Sequence, residues 1–126
     1  MNRLRISSAV LVPLLVAFSH TALGQKIPAN ATRIDTIAIE LTTKGFTQTQ
    51  LSHSAGQVLI FVHNKSGPAP RSLAFSMLTS TSPTVLRQPS LTQTHPHWFE
   101  VMTLSAGTYQ LTEGSHPTWN CTITIQ

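Results

Sequence analysis

The side chains of this chain that are able to do chemistry gather toward its C-terminal end. His95, His97 and His116 lie there with Glu113 and the only cysteine, Cys121. Imidazole nitrogens together with a carboxylate oxygen make a donor set suited to Zn(II) or Cu(II). His95-Pro96-His97 is a weak signal on its own, because histidines in polar loops are far more often solvated than ligating. Cys121 sits in an alternating stretch and shares parity with Trp119, Ile123 and Ile125. That parity predicts a buried structural thiol, not a reactive one. His53 and His63 have no partner evident from sequence. The chain has no Gly-x-Ser-x-Gly elbow, no Cys–His pairing and no phosphate-binding glycine loop. Asp35, Glu40 and Glu100 fall on separate predicted strands. No enzymatic activity is expected.

The elements that must position these groups read as strands. Arg33 to Thr43 alternates, with Ile37, Ile39 and Leu41 on one face, and Lys44-Gly45 breaks it. Phe46 to Ser54 is irregular or a weak strand, and Ala55-Gly56-Gln57 is a turn. Val58 to Val62 is a continuous apolar run, as expected of a central sandwich strand. Gly67, Pro68 and Pro70 mark a loop from Asn64 to Pro70. Arg71 to Leu78 follows as a strand, with Arg71, Leu73, Phe75 and Met77 on one face. Thr79 to Pro96 reads as a long polar connection in which Val85-Leu86 closes a short helical turn. His97 to Leu104 is a strand, and Ser105-Ala-Gly107 a tight turn. Tyr109 to Glu113 is a strand, Gly114 to Thr118 a loop, and Trp119 to Gln126 the final strand. No segment after residue 24 keeps a helical period. The pattern predicts an all-β, Greek-key β-sandwich. Strand direction places His95, His97 and His116 at one end of it, near Glu113.

The N-terminus has a different character. Arg3 and Arg5 precede a mostly apolar run from Ile6 to Phe18, and Ala22-Leu-Gly24 offers small residues where a signal peptidase reads. Residues 1–24 are therefore read as a signal peptide, 25–32 as a lead-in and 33–126 as one domain. The expected product is exported, periplasmic or secreted, with no stable membrane span after cleavage. The 126 residues carry eight Lys and Arg against four Asp and Glu, and cleavage leaves six against four. That balance, with no basic cluster, excludes a nucleic-acid surface. A single cysteine excludes an internal disulfide.

The stretch Gly107-Thr-Tyr109, then Glu113-x-x-His116-Pro117-x-Trp119, then an Ile/Thr-rich strand, resembles the C-terminal ligand loop of the cupredoxins, the small blue-copper proteins. In the amicyanin-like form of that loop the family reads Cys-x-x-His-x-x-Met. Gly56-Gln-Val58 leading to Asn64 is similar to the family's Gly-x-x-Val-x-Phe-x-x-x-Asn passage. After that Asn, the family places a copper-binding His where this chain has Arg71. The resemblance covers roughly Ile34 to Gln126, although Thr79 to Pro96 matches nothing in it. It implies a cupredoxin-like sandwich whose former ligand positions are Arg71, Glu113, His116 and Trp119, only one of which keeps a copper donor.

The function expected from this is an exported cupredoxin-like domain without an intact type 1 copper site, acting as a binding or structural module. Its partner would be a protein or small ligand held near Trp119, His116 and Trp98. The alternative is a periplasmic metal-handling protein that binds Cu(II) or Zn(II) weakly through His116 with His95 and His97, and with Glu113. No tight cofactor is expected. Parity further suggests that Arg71 and Glu113 meet as an ion pair where copper stood in the family, against the simpler expectation that both reach water at the rim.

Overall fold

A computed structural model describes residues 34–126. The expected cleavage site and lead-in lie outside the described residues. Ten strands occur in the order β1 (Asp35–Thr42), β2 (Gly45–Phe46), β3 (Gln50–His53), β4 (Gly56–Asn64), β5 (Arg71–Leu78), β6 (Pro83–Arg87), β7 (Ser90–Leu91), β8 (His97–Leu104), β9 (Gly107–Glu113) and β10 (His116–Ile125). They form two sheets. One has the order β2-β1-β4-β8; the other has the order β3-β10-β9-β5-β6, with β7 paired to β5. β1 runs parallel to β4, and β3 parallel to β10, whereas the other pairings are antiparallel. Among the described residues, no helix is long and apolar enough to cross a membrane.

The core follows from the period-2 alternation of the strands. Ile37, Ile39 and Leu41 of β1, and Val58, Ile60 and Val62 of β4, face Leu73 and Phe75 of β5, Tyr109 and Leu111 of β9, and Cys121, Ile123 and Ile125 of β10. Fully burying one such aliphatic or aromatic side chain contributes about 1.5–3 kcal/mol. The apolar run of β4 is central, between β1 and β8. Tyr109 locks the turn before its own strand by donating from its hydroxyl to the Ser105 carbonyl at 2.9 Å.

The expected helical turn at Val85-Leu86 does not form. These residues belong to β6, which pairs antiparallel with β5 through Ser76↔Val85 and Met77↔Thr84. β6 is an edge strand exposed on nearly every residue, so it has no inward–outward alternation to read. The expected loop at 114–118 is also shorter than read. The turn is Gly114-Ser115, His116 already pairs with Glu113, and a bulge between His116 and Asn120 absorbs the extra residues.

Candidate functional site

The loop after β4 is built by Asn64. Its buried Oδ1 accepts from the Ser66 amide at 2.9 Å and from the Ser66 hydroxyl. Ser66 Oγ in turn accepts from Arg71 Nε at 2.8 Å, which fixes the guanidinium at the start of β5. The Arg71 guanidinium carbon lies 5.3 Å from the ring centroid of Trp119. That distance is within cation–π range.

Glu113 ends β9 on the inward face and is 1% exposed. Its Oε2 accepts from the Ser115 amide at 3.1 Å and from His116 Nδ1 at 2.8 Å. Its Oε1 is buried and has no hydrogen-bond partner. Burial pushes the Glu113 pKa up. The His116 hydrogen bond, the Ser115 amide and the positive charges of Arg71 and His116 outweigh burial, and the net direction is down from 4.5. A carboxylate acceptor holds a proton on the imidazole Nδ1. The His116 ring stacks on Trp119, with centroids 3.8 Å apart and planes 8° from parallel.

Trp119 joins the two sheets at this end. Gly45, the first residue of β2 directly after the β1–β2 turn, has φ of 109°, and a Cβ there would lie 3.1 Å from the Trp119 ring. Glycine here therefore lets the start of β2 pack against the indole without backbone or steric strain.

Arg71, Glu113, His116 and Trp119 are thus neighbours at one end of the sandwich. The expected Arg71–Glu113 ion pair is not formed within 4.0 Å. Ser66 intercepts the guanidinium, and the imidazole across the Gly114-Ser115 turn takes the carboxylate. Strand parity alone does not reveal the Glu113–His116 pairing. Its signal is the Glu-Gly-Ser-His spacing, a two-residue turn that sets an acid opposite a histidine.

The other two histidines do not join this group. β8 puts Trp98 inward, where it packs on the core, and turns His97 to the outer face. There His97 stacks on His63 at 4.4 Å between centroids and on Phe61 at 5.4 Å. His95 Nδ1 contacts the Thr94 hydroxyl at 3.1 Å. Among the described residues, no three His, Cys, Asp or Glu side chains converge on a position for a metal ion. Cys121 is fully buried, and desolvation pushes its thiol up to about 11.

The fold is cupredoxin-like. Auracyanin A, a "blue" copper protein from the green thermophilic photosynthetic bacterium Chloroflexus aurantiacus, matches 75% of this chain and 100% of its own, with a TM-score of 0.58 and 19% identity. The Cu(I) form of an amicyanin variant matches 72% of this chain and 82% of its own, with a TM-score of 0.55 and 14% identity. Another amicyanin variant, reduced at pH 4, matches 76% and 87%, with a TM-score of 0.55 and 12% identity. No protein-family model matches the sequence, and no curated protein does.

Proposed function

We propose that this chain is an exported cupredoxin-like domain that acts as a binding or structural module and does not carry electrons through type 1 copper. The observation that supports this most directly is the state of His116. Its Nδ1 is engaged by Glu113 Oε2 at 2.8 Å, and its ring lies flat on Trp119. The side chains at this end do not fit type 1 copper. Glu113 offers a hard oxygen in place of a thiolate, Arg71 is a fixed cation where a lone pair is needed, and the indole N–H of Trp119 only donates. Cys121 points into the core among Leu111, Ile123 and Ile125 and is fully buried. The half-exposed His116 and Trp119 rings give this end a flat aromatic surface suited to a protein or small ligand. Export is supported by the Arg3/Arg5 start, the short apolar run and the Ala22-x-Gly24 site.

The test is anaerobic addition of Cu(II) to the purified protein, followed by visible absorption and electron paramagnetic resonance. The expected result is no intense thiolate-to-copper band. A strong band with narrow hyperfine splitting would overturn the reading and show that Cys121 reaches the metal.

A further inference from the structure

We propose that His63 and His97 form a two-imidazole chelate for a divalent transition-metal ion on the outer face of the β2-β1-β4-β8 sheet. This site is separate from the Glu113–His116–Trp119 end group, and the proposal does not depend on the preceding one. The argument starts from register. His63 of β4 and His97 of β8 are directly opposed partners in an antiparallel pair. One position further along, the Asn64 amide donates to the Pro96 carbonyl at 2.8 Å. That bond makes 64/96 a hydrogen-bonded position, so 63/97 is a non-hydrogen-bonded one. Opposed side chains lie closest at non-hydrogen-bonded positions. The two rings are accordingly in contact, with centroids 4.4 Å apart and planes inclined by 27°.

The ligand chemistry is free to act. Among the described residues neither the His63 nor the His97 ring makes a hydrogen bond to a protein group, whereas the His116 ring is held by Glu113 and the His95 ring by Thr94. His97 is exposed and His63 half-buried, so both rings reach solvent. The rings are stacked face to face as placed, so chelation would require rotation about the ring torsion to bring one nitrogen of each toward a shared point. The strand backbones that set the pair need not move. Phe61 lies beside His97 and walls one side of the position. On the next strand Glu40 is the register partner of His63, and its carboxylate is paired with Lys65 at 2.8 Å. Among the described residues no third His, Cys, Asp or Glu converges on the pair, so water would complete the coordination. Two neutral imidazoles with water favour Cu(II), Ni(II) or Zn(II) over Mg(II) or Ca(II).

The experiment is a Cu(II) titration of the purified protein in a non-coordinating buffer, read by paramagnetic broadening of the histidine ring signals in proton–carbon correlation spectra. The signals of His63 and His97 should broaden together and before those of His95 and His116. Replacing one ligand with alanine, as His63→Ala or His97→Ala, removes the chelate. Each should weaken Cu(II) binding on the order of a hundredfold, and His53→Ala should leave it unchanged. Broadening first at His116 or His95 overturns the proposal, as does wild-type affinity in either single variant. Both outcomes differ from the intense thiolate-to-copper band that would overturn the binding-module reading. The wild-type spectra carry the test even if a variant folds poorly.

Discussion

Glutamine at position 113 isolates what the charge of the buried carboxylate does. Glu113→Gln keeps the shape, and its amide oxygen can still accept from the Ser115 amide and from His116 Nδ1, the two bonds now made by Oε2 at 3.1 and 2.8 Å. Hydrogen bonds to a charged group are worth about 1.5–3 kcal/mol, against about 0.5–1.5 kcal/mol between neutral groups. Two such bonds lose about 2–3 kcal/mol on neutralisation. The opposing effect is desolvation, since a neutral amide is cheaper to bury than a carboxylate with an unpartnered Oε1. The net expectation is about 1–2 kcal/mol of destabilisation at pH 7. That is a fall in melting temperature of roughly 4–15 °C for a domain of this size. The pH dependence checks the cause. The folded pKa of Glu113 is depressed below 4.5. Its contribution is therefore fully present above the unfolded carboxylate value and is lost as pH falls through the folded one. Thermal or urea unfolding of both proteins should show a gap that is present above pH 4.5 and closes as the pH falls below it. A glutamine variant as stable as wild type at pH 7, or a gap that does not close in acid, would refute the reasoning.

The remaining predictions concern packing. Gly45→Ala should cost about 2–4 kcal/mol, because φ of 109° is strained for any side chain and the new Cβ would lie 3.1 Å from Trp119; urea unfolding measures the loss, and indole fluorescence should shift with it. Cys121 is fully buried with its thiol pushed up to about 11, so native labelling by a thiol reagent should be slow and should accelerate on denaturation. Intact mass of the exported protein should place its first residue near Gln25, and retention of Met1 would contradict cleavage.

Parity carried much of this structure from sequence to fold. Trp119, Cys121, Ile123 and Ile125 alternate with polar residues, and β10 buries the last three of them. The same holds for Ile37, Ile39 and Leu41 in β1. The reading failed where one side of a strand is not distinguishable from the other. In β8, Trp98 and Met102 face inward while Phe99 and Val101 are exposed at 69% and 49%. With apolar residues on both faces, the direction of His97 is not legible in the sequence, and the ring lies on the outer face against His63 and away from His116. β6 failed for the opposite reason, because almost nothing in it is buried. The Arg71–Glu113 pairing failed one level further down. Both residues do share the core-facing parity, but a long side chain bonds to whatever acceptor its stem meets first, and Ser66 is positioned by Asn64 to be that acceptor.

That relay explains how this end of the sandwich holds Arg71, Glu113, His116 and Trp119 in place through its own side chains. A metal would organise ligands from separate loops by bonding each to one atom. Here each loop is tied locally. Asn64 and Ser66 fix the β4–β5 loop and hand it Arg71. The Gly114-Ser115 turn fixes Glu113 against His116. The β1–β2 turn is fixed by Gly45, whose carbonyl accepts from the Thr42 hydroxyl at 2.9 Å. Trp119 is the piece all three share, stacked on His116, beside the Arg71 guanidinium and against Gly45. A large flat ring can touch three loops at once, which is the positional task a metal ion performs through coordination. The three loops are therefore joined through the indole, and the sandwich end stays closed with stacked rings at its surface.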